Sequence, residues 1–176
     1  MLRVNSQKSK VSDQSGFTLV EFLIYSVIVA MFIGLLVLMS VNIIQGNANL
    51  NTINEVNNNM RFSLNKMTYY IRETESFLIS PDNETLELTL KDTSSVIFQL
   101  GGENNDILQI QKGEEIEALI DSEIIKVTSL IFTDVSYPDT PGTIRIELSL
   151  KRKNPLNRSQ YDFNTTSQTT ENLRTY

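Results

Sequence analysis

The sequence predicts an α+β fold in which one long N-terminal helix, transmembrane in its first half and amphipathic in its second, packs on a C-terminal antiparallel β-sheet. Three observations predict it: an uncharged apolar run from Phe22 to Val41, an apolar stripe at helical steps beyond it, and a change to strict alternation after Pro81.

Met1 to Gly16 is polar, lacks apolar periodicity and reads as a leader. The run from Phe22 to Val41 holds twenty residues without a charge. At about 1.5 Å per residue a helix of that length covers roughly 30 Å, the thickness of a bilayer's hydrocarbon core. Arg3, Lys8 and Lys10 precede it against only Asp13. Such a Lys/Arg excess is normally kept in the cytoplasm, which places the N-terminus inside, a single pass in the cytoplasmic membrane, and the rest of the chain outside. After Val41 the residues Asn42-Ile43-Ile44-Gln45-Gly46-Asn47 lack the small-residue pattern of a secretory cleavage site, so the apolar helix is expected to be retained.

Leu50, Ile53, Val56, Met60, Leu64, Met67, Ile71 and Leu78 form the stripe of an amphipathic helix, with Met60, Met67 and Phe77 as core residues. No proline occurs before Pro81, so the helix is expected to run on to about Phe77. Gly34 and Gly46 are its softest points, since glycine weakens a helix interior by about 1 kcal/mol. The expected division is leader 1–16, transmembrane half 17–44, amphipathic half 45–78 and β-rich head 79–176.

Thr85 to Leu90, Val96 to Leu100, Ile107 to Gln111 and Thr143 to Leu150 alternate with period two, the pattern of strands with one buried face. Turn clusters at Lys91 to Ser95, Gly101 to Asn105 and Lys112-Gly113 separate the first of these and favour an antiparallel meander. Ile124 to Phe132 is apolar enough for a more central strand, and Tyr137 to Gly142 reads as a loop. In the Asn- and Thr-rich tail, Tyr161 and Phe163 are placed to cap the sheet as a last strand.

The net charge of −6 is uneven: +2 in the first sixteen residues, −1 at Glu21 and −7 beyond it. An acidic outer portion argues against a general nucleic-acid binder, which needs clustered Lys and Arg. The chain has no cysteine and no histidine, which excludes disulfides, thiol nucleophiles, Ser-His machinery and zinc sites built from them. No catalytic constellation is present and no cofactor or metal is expected. Glu114, Glu115, Glu117, Asp121 and Glu123 read as a solvated acidic face, because their spacing does not follow a calcium loop. Gly101 to Asp106 reads as a hairpin turn in preference to an ion cradle, and Lys151-Arg152-Lys153 with Arg158 as a solubilising strand end.

The string Gly16-Phe17-Thr18-Leu19-Val20-Glu21, set between a basic leader and an uncharged span, resembles the type IV prepilins and type II secretion pseudopilins. The resemblance is strong over residues 10 to 42 and architectural beyond them. It implies a pilin-like fold, and a prepilin peptidase that cuts between Gly16 and Phe17 and methylates the Phe17 amine. It implies further that Glu21 meets the terminal amine of a neighbouring subunit during filament assembly. Physically, cleavage leaves an ammonium at Phe17, four residues before Glu21 on the same helical face, while a carboxylate in an apolar medium costs several kcal/mol unless paired.

The mature chain would have 160 residues, without the cysteine pair or the helix-bending proline common in major pilins. Arg61 to Met67, Leu119 to Phe132 and Tyr161 to Arg174 resemble minor subunits related to the J-type pseudopilin. The expected partners are prepilin peptidase, other pilin or pseudopilin subunits and the membrane, with no nucleic acid. Two other readings stand beside this one: an adhesion or DNA-uptake module on the same anchor, and an uncleaved membrane-anchored enzyme.

Overall fold

A computed structural model describes residues 18–138 and 141–174 of the chain. One helix, α1 (Leu19–Glu73), is followed by β1 (Thr74–Ile79), β2 (Leu86–Leu90), β3 (Ser95–Gly101), β4 (Ile107–Lys112), β5 (Glu115–Ala118), β6 (Ile125–Asp134), β7 (Thr143–Arg152) and β8 (Asn164–Asn172). Every strand pairing is antiparallel, so the layout is α+β, a long apolar N-terminal helix followed by antiparallel sheets. The chain divides into two compact units between Ile43 and Ile44, and α1 contributes to both.

In the first unit α1 is helical through Gly34 and exposes every side chain. It is long and apolar enough to cross a membrane. Its two serines do not interrupt that character: Ser26 Oγ donates to the Leu23 carbonyl and Ser40 Oγ to the Leu36 carbonyl, each at 2.8 Å. Both hydroxyls are satisfied inside the helix, as a low-dielectric surrounding requires.

In the second unit α1 buries Thr52, Val56, Met60, Ser63, Met67 and Ile71. The stripe differs from the expected one: Leu50 is exposed, Ile53 and Leu64 are half-buried, and two small polar residues take inward positions. Hydrogen bonds make this possible. Ser63 Oγ donates to the Leu119 carbonyl at 3.0 Å and Thr52 Oγ1 to the Ala48 carbonyl at 2.9 Å, so neither hydroxyl is buried unpaired.

The helix stops at Glu73, short of the expected Phe77. Thr74 to Ile79 leaves as β1 and pairs with β2, with a bulge between Thr74 and Ser76. Two sheets replace the single expected one: β1 to β5 form a five-stranded meander in sequence order, and β6, β7 and β8 form a three-stranded sheet with β7 central. Ile125–Asp134 is therefore an outer strand where a central one was expected. Residues 139 and 140 of the expected loop at Tyr137 to Gly142 lie outside the described residues.

The inward faces of both sheets and the helical stripe form one core, in which Phe98, Phe132, Met67 and Ile71 are fully buried. Phe163 and Phe77 pack at its margin, Tyr161 lies in a short 3-10 turn, and the last strand begins only at Asn164. A recurrent local device shapes the turns. The side chains of Asp82, Asp92, Asp121 and Asp134 each accept the N–H two residues on, at 2.9–3.1 Å. Hydrogen bonds from Ser80 and from Ser94 hold the Asp82 and Asp92 carboxyls below the usual carboxylate range. Gly102 turns the β3–β4 hairpin with φ +87°, a conformation that L side chains rarely adopt.

Candidate functional site

A hydrogen-bonded cap builds the start of α1. Thr18 precedes the first helical residue. Its Oγ1 accepts the Glu21 N–H at 3.3 Å, and its carbonyl accepts the Phe22 N–H at 3.1 Å. Thr-x-x-Glu is the spacing of a capping box, so the string that carries the family resemblance also fixes where the helix begins. Thr18 belongs to that string but is not among the site residues expected from the sequence, although its spacing from Glu21 signals the cap.

Glu21 lies exposed in the first turn and is the only charged residue between Thr18 and Asn54. The positive end of the helix favours a carboxylate there by about 0.3–1 kcal/mol. Gly16 and Phe17, the other two predicted site residues, lie outside the described residues.

Twenty large hydrophobic side chains between Leu19 and Ile44 are 44–77 % exposed. At about 1.5 kcal/mol or more per side chain, covering them stabilises the system by on the order of 30 kcal/mol, several times the roughly 5–15 kcal/mol that holds a typical domain folded. Their environment, lipid or the apolar surface of other chains, therefore decides where this part of the molecule resides.

The weaker sequence signals have structural explanations. Lys151 pairs with Asp162 at 2.9 Å, Arg152 with Glu55, and Lys153 lies 3.7 Å from Asp106 while donating to the Ser122 carbonyl at 2.8 Å. The basic triplet is thus neutralised by its own head and fastens β7 to α1 and to neighbouring loops. In the acidic stretch, Glu117 receives the Lys66 ammonium on both oxygens at 2.9 Å. Asp121 shapes a turn, and its N–H donates to Asn59 Oδ1 at 2.9 Å. Among the described residues no group of three or more His, Cys, Asp or Glu side chains is placed to hold a metal ion. Gly101 to Asp106 forms the hairpin turn expected of it.

The Lys66 contact holds the Glu117 carboxyl below its usual range. A depressed acid contributes stability that is complete above its unfolded value and is lost as pH falls through the folded one. The stability advantage of wild type over Glu117→Gln should therefore shrink between neutral pH and about pH 3, by a small amount because the pair is at the surface. Thermal melts of the detergent-solubilised chain at the two pH values measure it.

No family model, curated protein or solved structure matches the chain.

Proposed function

We propose that this chain is a minor pilin or pseudopilin. It is held in the cytoplasmic membrane with residues 1–16 inside and the head outside, cut between Gly16 and Phe17 by prepilin peptidase, methylated at Phe17, and then assembled through its apolar helix into a type IV pilus or a type II secretion pseudopilus. One observation carries this reading: the first half of α1 is apolar and wholly exposed, and its single carboxylate, Glu21, sits in the capped first turn shortly after the Gly16-Phe17 pair.

The same arrangement supports a change of environment without a change of helix. Before cleavage the exposed face is covered by lipid. Afterwards neighbouring helices supply the cover, and the new Phe17 ammonium of one subunit neutralises Glu21 of another. The head acts by packing, and its basic triplet, already paired internally, lends no support to DNA binding.

Leader removal tests the reading. Wild-type chain from peptidase-positive cells should migrate ahead of Gly16→Asp on an immunoblot by the size of the leader, while the variant remains wholly uncut. Equal migration of the two would refute processing.

A further inference from the structure

β5 ends the first sheet and β8 ends the second, and each has one unpaired edge. Around α1, at about 100° per residue, Asn59, Ser63 and Lys66 lie on one side of the buried stripe and Leu64, Thr68 and Arg72 on the other. The first side meets Asp121, Leu119 and Glu117 in turn, so β5 runs against the helix. On the other side Arg72 bonds Glu171, near the end of β8, at 3.0 Å, while Arg152 of β7, next to the Lys151–Asn164 pair at the start of β8, pairs with Glu55 earlier in α1, so β8 runs with the helix. Two heads set side by side in the same orientation therefore bring β8 of one against β5 of the next as antiparallel strands.

The backbone groups match. Arg152 N–H donates to the Phe163 carbonyl and Leu173 N–H to the Gly142 carbonyl, so the odd residues of β8 bond β7 and the even ones turn their N–H and C=O outward. By the same parity the bond from Leu119 N–H to the Leu108 carbonyl leaves Ile116 and Ala118 facing outward from β5. β8 is nine residues long without Pro, Lys or Arg, the residues that usually protect an edge.

Charge favours the registers that bring Glu115 towards Arg61. A groove of about 710 Å³ separates α1 from β8, and Arg61 lines it beside Ser167, Gln168 and Thr169 without an acidic partner among the described residues. Glu115 on β5 stands opposite Lys112 of its own β4, which attracts it without closing an ion pair. With Ile116 opposite Gln168, Glu115 falls opposite Thr169 and into the groove with Arg61. A shift of two residues the other way sets Glu115 against Glu171, a like-charge pair that destabilises a ladder.

We infer that the β8 edge is a docking site for β5 of a second copy of this chain, joining two heads in one orientation through a continuous antiparallel sheet. The contact extends the assembly reading above and rests on it for the common orientation of copies held in one membrane. It is head-to-tail, so it leaves a free edge at each end of the pair.

The chain contains no cysteine, so introduced thiols report without background. The paired positions of an antiparallel ladder, about 5.5 Å apart between Cα atoms, lie within disulfide reach. In membranes holding the full chain, the exposed-site double variant Ile116→Cys/Gln168→Cys should oxidise to dimers and higher species. A mixture of the two single variants should stop at dimers, and each single variant alone should remain monomeric. Arg61→Glu should lower the yield roughly fivefold, and adding Glu115→Arg should restore it.

Cross-linking of Gln168→Cys alone would mean that β8 pairs with itself and would overturn the proposal. So would the absence of cross-links in the double variant while leader cleavage proceeds normally, which leaves the assembly reading intact. Cross-links without leader cleavage would count against the assembly reading alone.

Discussion

Replacing Glu21 by alanine should remove the chain from sheared filaments while leaving its amount in the membrane unchanged. The carboxylate stands alone in an apolar surface, and its interaction with its own helix is worth only about 0.3–1 kcal/mol. That loss leaves the helix intact, because the Thr18 cap bonds the residue 21 backbone N–H and not the Glu21 side chain. On the proposed assembly, the large effect arises in the filament. There, removing one partner of a desolvated ion pair costs roughly 3–5 kcal/mol, which corresponds to a hundredfold or greater loss of incorporation. Glu21→Gln keeps the shape without the charge and should fail similarly. Immunoblots of sheared and membrane fractions measure both variants, and normal incorporation of either would exclude the pairing role.

Replacing Phe98 by alanine should destabilise the head more than any surface change. Phe98 is fully buried in β3, opposite Leu86 on one neighbouring strand and Ile110 on the other, with its ring centroid 6.0 Å from that of Tyr70 on α1. It therefore ties the first sheet to the helix. Losing a buried Phe side chain costs about 3–5 kcal/mol, a large part of the roughly 5–15 kcal/mol that holds a domain folded. With no disulfide to limit the unfolded chain, nothing offsets the loss. The melting temperature of the solubilised chain should fall by roughly 10–20 °C. Leu78→Ala, on the exposed face of β1, should change it little. An unchanged melt for Phe98→Ala would show that the helix and the first sheet do not share the core described here.

The segments legible in the sequence are those whose burial alternates with a fixed phase. β2, β3, β4 and β7 each bury every second residue, and the period-two pattern located all four. β1 was hidden because Leu78 continues the helical spacing from Ile71 by chance. Its β-branched and aromatic Thr74, Phe77 and Ile79 are the competing signal, and pairing with β2 decides in their favour.

β6 misled for a different reason. A bulge between Val127 and Ser129 changes the phase of burial, from Ile125 and Val127 to Leu130 and Phe132, so an outer strand reads as a continuous apolar run. β5 is four residues long and wholly exposed, and β8 is built of Asn, Thr, Ser and Gln with Glu171, so neither shows a buried apolar face. Only neighbouring strands define them. Thr52 and Ser63 do not show in a hydrophobic stripe because they are polar: Thr52 satisfies its hydroxyl within the helix at Ala48, and Ser63 at Leu119, far away in the sequence.

The features that make up the candidate site are local in the sequence, and of its expected residues the structure describes Glu21 alone. A lone acid, a membrane-length span and the preceding Gly-Phe pair lie within one short stretch, and the same stretch contains the Thr-x-x-Glu cap. The partner surfaces are less legible. The unpaired β8 edge and the Arg61 groove follow from strand order and from the way two sheets bracket one helix.

The intact mass of the chain recovered from sheared filaments tests the central claim most directly. The account predicts a species that begins at Phe17 and carries one additional methyl group. Recovery of a species that still begins at Met1, or its confinement to the membrane in peptidase-positive cells that make filaments, would contradict it.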